Sequence, residues 1–319
     1  MKKKLVIASS ILTFLITTAT TIISIFLSNK LMYIKPKDVN FVSLREKRAR
    51  RYDENWLDNC PRKELYVSSP NGYVIRGTFY QPLVTTNTVI ICHGVTENKI
   101  NSMKFIRMYE RLGYNIVVYD HRRHGETGGK TTSYGYYEKI DLQAVIEEVR
   151  KIIGGEAILG IHGESMGAAT TLLYAGTIHD DADFYISDCA FSDFKVLLRK
   201  IVKETISINF ELAVKVSNLA IRLRDGYTFD HVNPLQAVAH IYKPVLFIHS
   251  IPDAFIPVSM AEELYNAKIN GVREIALFEN SAHAQSFNDS PELYEETVKQ
   301  FLDQHVRKNW LVLHEGNGN

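Results

Sequence analysis

The chain has 319 residues, 45% apolar and 23% charged, with a formal net charge of +1. That balance excludes an intrinsically disordered polymer, and near-neutrality leaves no global basic field for nucleic acid. Three cysteines, Cys60, Cys92 and Cys189, leave one unpaired in any disulfide scheme, and no Cys/His cluster has metal-ligand spacing. Buried free thiols are therefore expected, and neither a metal nor an organic cofactor is implied.

The chain opens with "MKKK" and then "LVIASSILTFLITTATTIISIFL", residues 5–27, which carries no charge. About 20 apolar residues span a bilayer core, and a cleaved signal peptide has a shorter apolar region with a small-residue cleavage site. The following "SNKLMYIKPK" has no such site, so an uncleaved single-pass membrane anchor is expected. Lys2, Lys3 and Lys4 oppose Lys30, Lys35, Lys37, Arg45 and Lys47, which nearly balances the positive-inside rule. Long domains translocate largely regardless of charge, so the remainder is expected outside the cell. Residues 29–58 are basic and polar. They read as a juxtamembrane connector with some helix, either a solvated linker or a cationic stretch lying on anionic head groups.

An alternation follows. "KELYVSS" and "GYVIRGTFYQ" predict a hairpin about "PNG". "NTVIICHG" and "YNIVVYDH" predict buried strands around the helical "SMKFIRMYERLG". "YYEKIDLQAVIEEVRKII" is amphipathic; "EAILGIHG", "MGAATTLLYAG" and "ADFYISDCA" read strand, helix, strand. "YKPVLFIHS", "SMAEELYNAKI", "REIALFEN" and "PELYEETVKQFLDQH" continue the rhythm. Apolar strands alternating with helices imply an α/β fold, a mostly parallel sheet covered on both faces. Residues 191–243 interrupt it with helical pattern alone, where about five residues would usually suffice, and predict a helical cap.

Ligands of open parallel sheets bind beyond the carboxyl ends of the strands. The polar residues there are His93, Asp120, Ser165, Asp188, Asp253 and His283. A serine, a carboxylate and a histidine thus share one rim, in that chain order. Ser165 lies in "GESMG", a G-x-S-x-G between a strand and a helix.

Five segments, "ICHGVTENK", "YDHRRHGETGG", "GESMGAAT", "HSIPDAFIP" and "SAHAQSF", together resemble the α/β-hydrolase superfamily across residues 60–305. The resemblance is to membrane-anchored bacterial serine hydrolases grouped with serine aminopeptidase-like and prolyl-oligopeptidase-like sequences. Two positions of the acid loop depart from the family pattern: Ser250 stands where glycine is usual, and Ile256 replaces valine. The layout expected is an anchor at 1–28, a connector at 29–58, a hydrolase domain at 59–308 with its cap at 191–243, and a tail at 309–319.

The resemblance implies a catalytic triad of Ser165, Asp253 and His283, with the backbone N–H groups of Val95 and Met166 forming an oxyanion hole. Other residues compete for these roles. Asp188 and Asp120 are alternative acids. His93 and His124 suit structural hydrogen bonds, and His162 and His249 suit the strand core. Glu164 suits packing or hydrogen bonding. Cys92 and Cys189 lack a partnered base. Phe191, Phe194, Ile206, Ile208, Phe210, Leu212, Val214, Leu219 and Ile221 of the cap can either pack on the domain or form an apolar acyl pocket. The function implied is cleavage of small or medium acyl esters, or amides, through an acyl-enzyme. A serine peptidase, an acyltransferase and a catalytically silent membrane-attached binding protein are the alternatives.

Overall fold

Five strands form the inner sheet because their sequences are nearly continuous apolar runs, which suits burial on both faces. In chain order the computed structural model, which describes residues 2–205 and 210–307, begins with helices α1 (Lys2–Met32), α2 (Val39–Arg48) and α3 (Glu54–Asn59). Strands β1 (Arg62–Ser68), β2 (Val74–Tyr80) and β3 (Thr88–Cys92) come next, followed by α4 (Ile106–Arg111) and β4 (Asn115–Tyr119). The centre is α5 (Glu138–Ile153), β5 (Leu159–Glu164), α6 (Met166–Thr177) and β6 (Phe184–Asp188). The cap contributes α7 (Phe194–Thr205), α8 (Phe210–Asp225) and the short α9 (Pro234–Ala237). The chain closes with β7 (Val245–Ser250), α10 (Val258–Ala267), β8 (Arg273–Phe278), α11 (Ser286–Asp289) and α12 (Pro291–Leu302).

The eight strands form one sheet in the order β1-β2-β4-β3-β5-β6-β7-β8. The β1–β2 hairpin and the β2–β4 pair are antiparallel, and every other pair is parallel. Alternate residues of the parallel strands feed two cores. Ile90, Val117, Ile161 and Phe247 meet α5, α6 and α10 on one face; Ile91, Val118, Ile186 and Ile248 meet α4 and α12 on the other.

A third apolar cluster joins the cap to the domain, and includes Phe191, Phe194, Val214 and Ile221 with Met166, Leu173 and Met32. Met32 belongs to α1, so this cluster also reaches the N-terminal helix. Along Val6–Met32 that helix has a mean hydropathy of 2.0, long and apolar enough to cross a membrane. Its upper part exposes Phe14, Leu15 and Ile16, whereas Ser24, Ser28 and Met32 are buried against α8, where the Ser217 hydroxyl donates to the Ser24 carbonyl at 3.2 Å.

The segment after the apolar run carries helix, as its sequence suggests, and packs on the domain. Helix α1 runs past residue 28 to Met32, and α2 and α3 are capped by Asp38 and Asp53, whose carboxylates accept N–H groups of Asn40, Phe41 and Trp56. Val42, Glu46 and Leu57 are buried. Lys37 and Arg45 pair with Glu97 of the domain, and Arg45 and Arg51 with the buried Glu46, which ties this polar stretch down.

One close approach sets the centre of the fold. A Cβ placed on Gly167, in the first turn of α6, would lie 2.0 Å from the Cys92 carbonyl oxygen, and one on Gly163 would lie 2.4 Å from the Gly167 backbone. Helix α6 can therefore press onto the ends of β3 and β5 only with glycine at both positions. Gly167→Ala should lower stability by roughly 1–3 kcal/mol or more, read as a drop in the denaturant midpoint. Gly155→Ala, whose Cβ meets nothing within 4 Å, should leave the midpoint within about 0.5 kcal/mol of the parent.

Candidate active site

Ser165 sits between β5 and α6 with φ 56° and ψ −115°, a conformation L-residues seldom adopt. Its N–H donates to the Asp188 carbonyl at 2.8 Å and its carbonyl accepts from Ala169, so both neighbouring elements hold the strained turn. The side chain is thereby turned out of the helix toward a cleft of about 500 Å³.

In that cleft Ser165 Oγ lies 2.9 Å from His283 Nε2. His283 Nδ1 lies 2.6 Å from Asp253 Oδ2. Asp253 Oδ1 accepts the N–H groups of Phe255 and Ile256, each at 2.9 Å. Burial alone would push this carboxyl up, but hydrogen bonds from His249, His283 and the Ile256 N–H outweigh it and hold it well below the usual carboxylate range. With an anion at Asp253, His283 Nδ1 is the donor of that pair. Nε2 is then free to accept, and the hydrogen bond runs from Ser165 Oγ–H to the imidazole.

Ser250, which replaces glycine in the acid loop, ties that loop to the histidine loop. Its hydroxyl accepts the Ser281 N–H at 3.2 Å and donates to carbonyls of the same loop. The edge of Phe255 meets the His283 ring at 5.1 Å.

The rival residues have other occupations. Asp188 accepts from the Tyr294 hydroxyl at 2.9 Å, and burial, followed by the nearby Glu164 carboxylate, pushes it up to about 6. Asp120 accepts the N–H groups of Lys99 and Glu126. His162 lies between the hydroxyls of Tyr109 and Tyr294. Glu164 forms a buried ion pair with Lys104 beneath the serine. Burial pushes the Cys92 thiol up to about 11 and the Cys189 thiol well above its ordinary value, so neither is a ready thiolate.

Two histidines shape the loop after β3. His93 Nδ1 bonds the Gly94 carbonyl at 2.7 Å and its Nε2 accepts the His121 N–H at 3.0 Å. His124 Nδ1 bonds the Arg122 carbonyl at 2.8 Å and its Nε2 accepts the Thr96 N–H at 3.0 Å. Each ring must be neutral to accept at Nε2, and burial pushes both down to about 4. The loop they hold passes beside the serine: a Cβ on Gly94 would lie 3.4 Å from Ser165 Cβ. Val95 lines the same cleft, and Met166 begins α6, where an N–H has no intrahelical acceptor.

Among the described residues, none of the cap lines this cleft. Phe191, Phe194, Val214 and Ile221 are spent on the third core cluster, and Leu219 is exposed. Ile206 and Ile208, the side chains of Phe210 and Leu212, and the expected tail 309–319 lie outside what the structure describes. Ile34, Lys37, Arg45 and Arg51 from the N-terminal segment line it instead, with residues of the strand-end loops. Sequence reasoning gave these residues no place in the cleft, and it placed His249 in the strand core, where it is buried, without its approach to Asp253: its Nε2 donates to the Ile256 carbonyl at 2.9 Å and lies 3.4 Å from Asp253. A histidine ending a buried strand four residues before the acid is the only signal the sequence offers for it.

Known proteins give these observations a context. A family model described as "alpha/beta hydrolase fold" matches residues 87–204. The uncharacterized protein YqkD of Bacillus subtilis is 40% identical over 289 residues, covering 90% of this chain and 94% of that one. Among solved structures, the esterase Pf2001 of Pyrococcus furiosus superposes with a TM-score of 0.66 at 20% identity, over 85% of this chain and 99% of the other. The acylaminoacyl peptidase of Pyrococcus horikoshii gives 0.58 at 20% identity, over 81% of this chain and 44% of the other. At such identities the two structures speak to the fold.

The buried imidazoles link stability to pH. His93, His121, His124 and His162 are all pushed down by burial, so the unfolded chain binds protons the folded chain refuses. Their contribution is fully present above about pH 6.5 and is lost as pH falls toward their folded values. Burial pushes Asp188 up to about 6, so it opposes this below that pH, and Asp120 and Asp141, also pushed up by burial, act in the same opposing direction. The imidazole contribution begins to fall at about pH 6.5, before the Asp188 contribution sets in, so the imidazoles dominate the first acidification from neutrality. The urea midpoint should be lower at about pH 5 than at about pH 7, and an equal or higher midpoint at the acid value would contradict this balance.

Proposed function

Because this chain belongs to the α/β-hydrolase superfamily, we propose that it is a serine hydrolase that cleaves small or medium acyl esters through an acyl-enzyme. The observation that carries this reading is the unbroken line from Ser165 Oγ to His283 Nε2 at 2.9 Å and from His283 Nδ1 to Asp253 Oδ2 at 2.6 Å.

A neutral hydroxyl is a weak nucleophile. His283 takes the Ser165 proton as Oγ attacks the acyl carbon, and then returns it to the leaving alcohol oxygen. Asp253 fixes the ring's tautomer and stabilises the imidazolium formed between those transfers. The tetrahedral oxygen gains its negative charge beside the loop carrying Val95 and the first residue of α6. The N–H groups of Val95 and Met166 stabilise it there, and the positive end of α6 favours the same charge. Water then attacks the acyl carbon, again through His283, and releases the carboxylic acid.

The alternative of an aminopeptidase is weaker for a specific reason. Recognition of a free α-ammonium group needs an available carboxylate near the serine. Among the described residues of the cleft, Glu97 is held by Lys37 and Arg45, and Glu164 by Lys104. Neither carboxylate is open to a substrate cation, whereas an uncharged acyl group needs none.

We further propose that α1 is an uncleaved membrane anchor with the hydrolase domain outside. A helix that exposes Phe14, Leu15 and Ile16 to water is unfavourable, and a bilayer removes that cost.

A fluorophosphonate probe should label the wild-type chain and not Ser165→Ala, and Ser165→Ala should lower ester turnover by about 10³-fold or more with little loss of stability. Asp253→Asn should reduce kcat by about 10⁴-fold through the wrong histidine tautomer. Labelling of Ser165→Ala equal to wild type would defeat the reading. Alkaline carbonate should leave the full-length chain in the membrane pellet; its release would argue against an anchor.

A further inference from the structure

The segment that leaves α1 lines the cleft through Ile34, Lys37, Arg45 and Arg51, and it is bonded to the loop that carries Val95. We propose that Lys37 and Arg45 are positioning residues of the active site, clamping the loop that carries Val95 so that the oxyanion site is complete only with segment 33–51 in place. The proposal rests on the serine hydrolase reading and extends it to residues that touch no reacting atom.

The loop needs holding. Thr96, next to Val95, has φ 66°, a conformation that a β-branched residue adopts only when its surroundings impose it. From inside, His124 Nε2 accepts the Thr96 N–H at 3.0 Å. From outside, the Lys37 N–H donates to the Thr96 carbonyl at 2.8 Å. The following residue, Glu97, is gripped in the same direction: Arg45 Nη1 and Nη2 reach its two carboxylate oxygens at 3.0 and 2.7 Å, and Lys37 Nζ pairs with it as well. Burial would push Glu97 up, yet these two cations hold it below its ordinary value, so it remains an anion.

The clamp is itself fixed. Arg45 Nε donates to Glu46 at 2.7 Å, Glu46 is fully buried, and Arg51 pairs with the same carboxylate. Oriented to satisfy both neighbours, the Asn101 amide accepts from Arg45 and donates to Glu164, the residue before the nucleophile. A bidentate arginine–carboxylate contact restricts direction as well as distance, which suits a device that must place one N–H group beside the serine.

A purely structural role for these ion pairs predicts a different result. If they only fasten α2 to the domain, their loss lowers the melting temperature and leaves the turnover of the folded enzyme unchanged. The test uses the full chain in detergent or membranes, at a temperature well below the melting point of every variant. Lys37→Ala/Arg45→Ala should lower kcat by about 10²-fold, the scale of a misplaced oxyanion donor, with KM changed less than about threefold. The rate of fluorophosphonate labelling should fall in parallel, because that reaction also develops charge on an oxygen in the hole. Arg45→Lys in the otherwise wild-type chain should retain part of the rate by keeping the charge while losing the fork.

Should the double variant fail to fold, Glu97→Gln supplies the same comparison by weakening the grip of both cations on a side chain of equal size. Folded variants with wild-type kcat and labelling rate overturn the proposal while leaving the hydrolase reading intact. A wild-type chain that neither turns over esters nor takes the label overturns both.

Discussion

The structure turns on the contact between the start of α6 and the ends of β3 and β5. Without side chains at Gly163 and Gly167, the helix backbone comes against the Cys92 and His93 carbonyls. The chain must then reverse within one residue, and Ser165 takes the strain at φ 56°. Everything else at the site is arranged about that fixed point. The β3 loop passes alongside it, and the loops after β7 and β8 bring Asp253 and His283 to it. Cys189 and Ala284, next to the Asp188 backbone and the histidine, also have positive φ. Strained residues gather where side chains must converge from several strand ends, and the parallel sheet beneath them resists their relaxation.

The electrostatics around that point separate groups that must stay neutral from groups that must stay charged. His93 and His124 accept backbone N–H groups through Nε2 and can do so only unprotonated, and burial keeps them so. Asp253 is nearly as enclosed, but four donors surround it, and the anion persists. Asp188, also at a strand end, has the Tyr294 hydroxyl but lies near the Glu164 anion, and it is pushed the other way. Two carboxylates at neighbouring strand ends thus have opposite protonation tendencies because of their immediate donors. The one that touches His283 is the one kept ionised, which suits the proposed role of steadying an imidazolium.

Much of this was legible in the sequence, and the remainder was not for identifiable reasons. Apolar runs such as "TVIIC" and "NIVVY" announce buried parallel strands, because burial on both faces leaves no polar alternation to confuse them. Ser165, Asp253 and His283 carry local motif context at strand ends. The segment 33–57 carries none, since its order comes from partners remote in sequence: Arg45 meets Glu97 52 residues away. A run of cations with intervening acids looks solvated until those partners are known. The cap presents the converse difficulty. An amphipathic helix shows that one face is apolar, but not whether that face meets a ligand or Met166 and Leu173.

The position of the cleft relative to α1 follows from the same segment. Only Tyr33 separates Met32, the last residue of the helix, from Ile34 in the cleft wall, at most about 7 Å of chain. The Arg123 guanidinium spans this junction, bonding the Tyr33 and Ile34 carbonyls, while Tyr134 bonds that of Leu31. The end of α1 is therefore fastened to the domain on both sides of the junction, and α8 packs along its last turns. A flexible tether would let the domain tumble and would make the anchor irrelevant to what enters. A fastened one fixes the direction in which the cleft faces relative to the helix axis. Under the proposed anchor and the proposed triad, Ser165 sits close to the membrane surface in a defined orientation, and access to it becomes a property of the whole chain instead of the sheet domain alone.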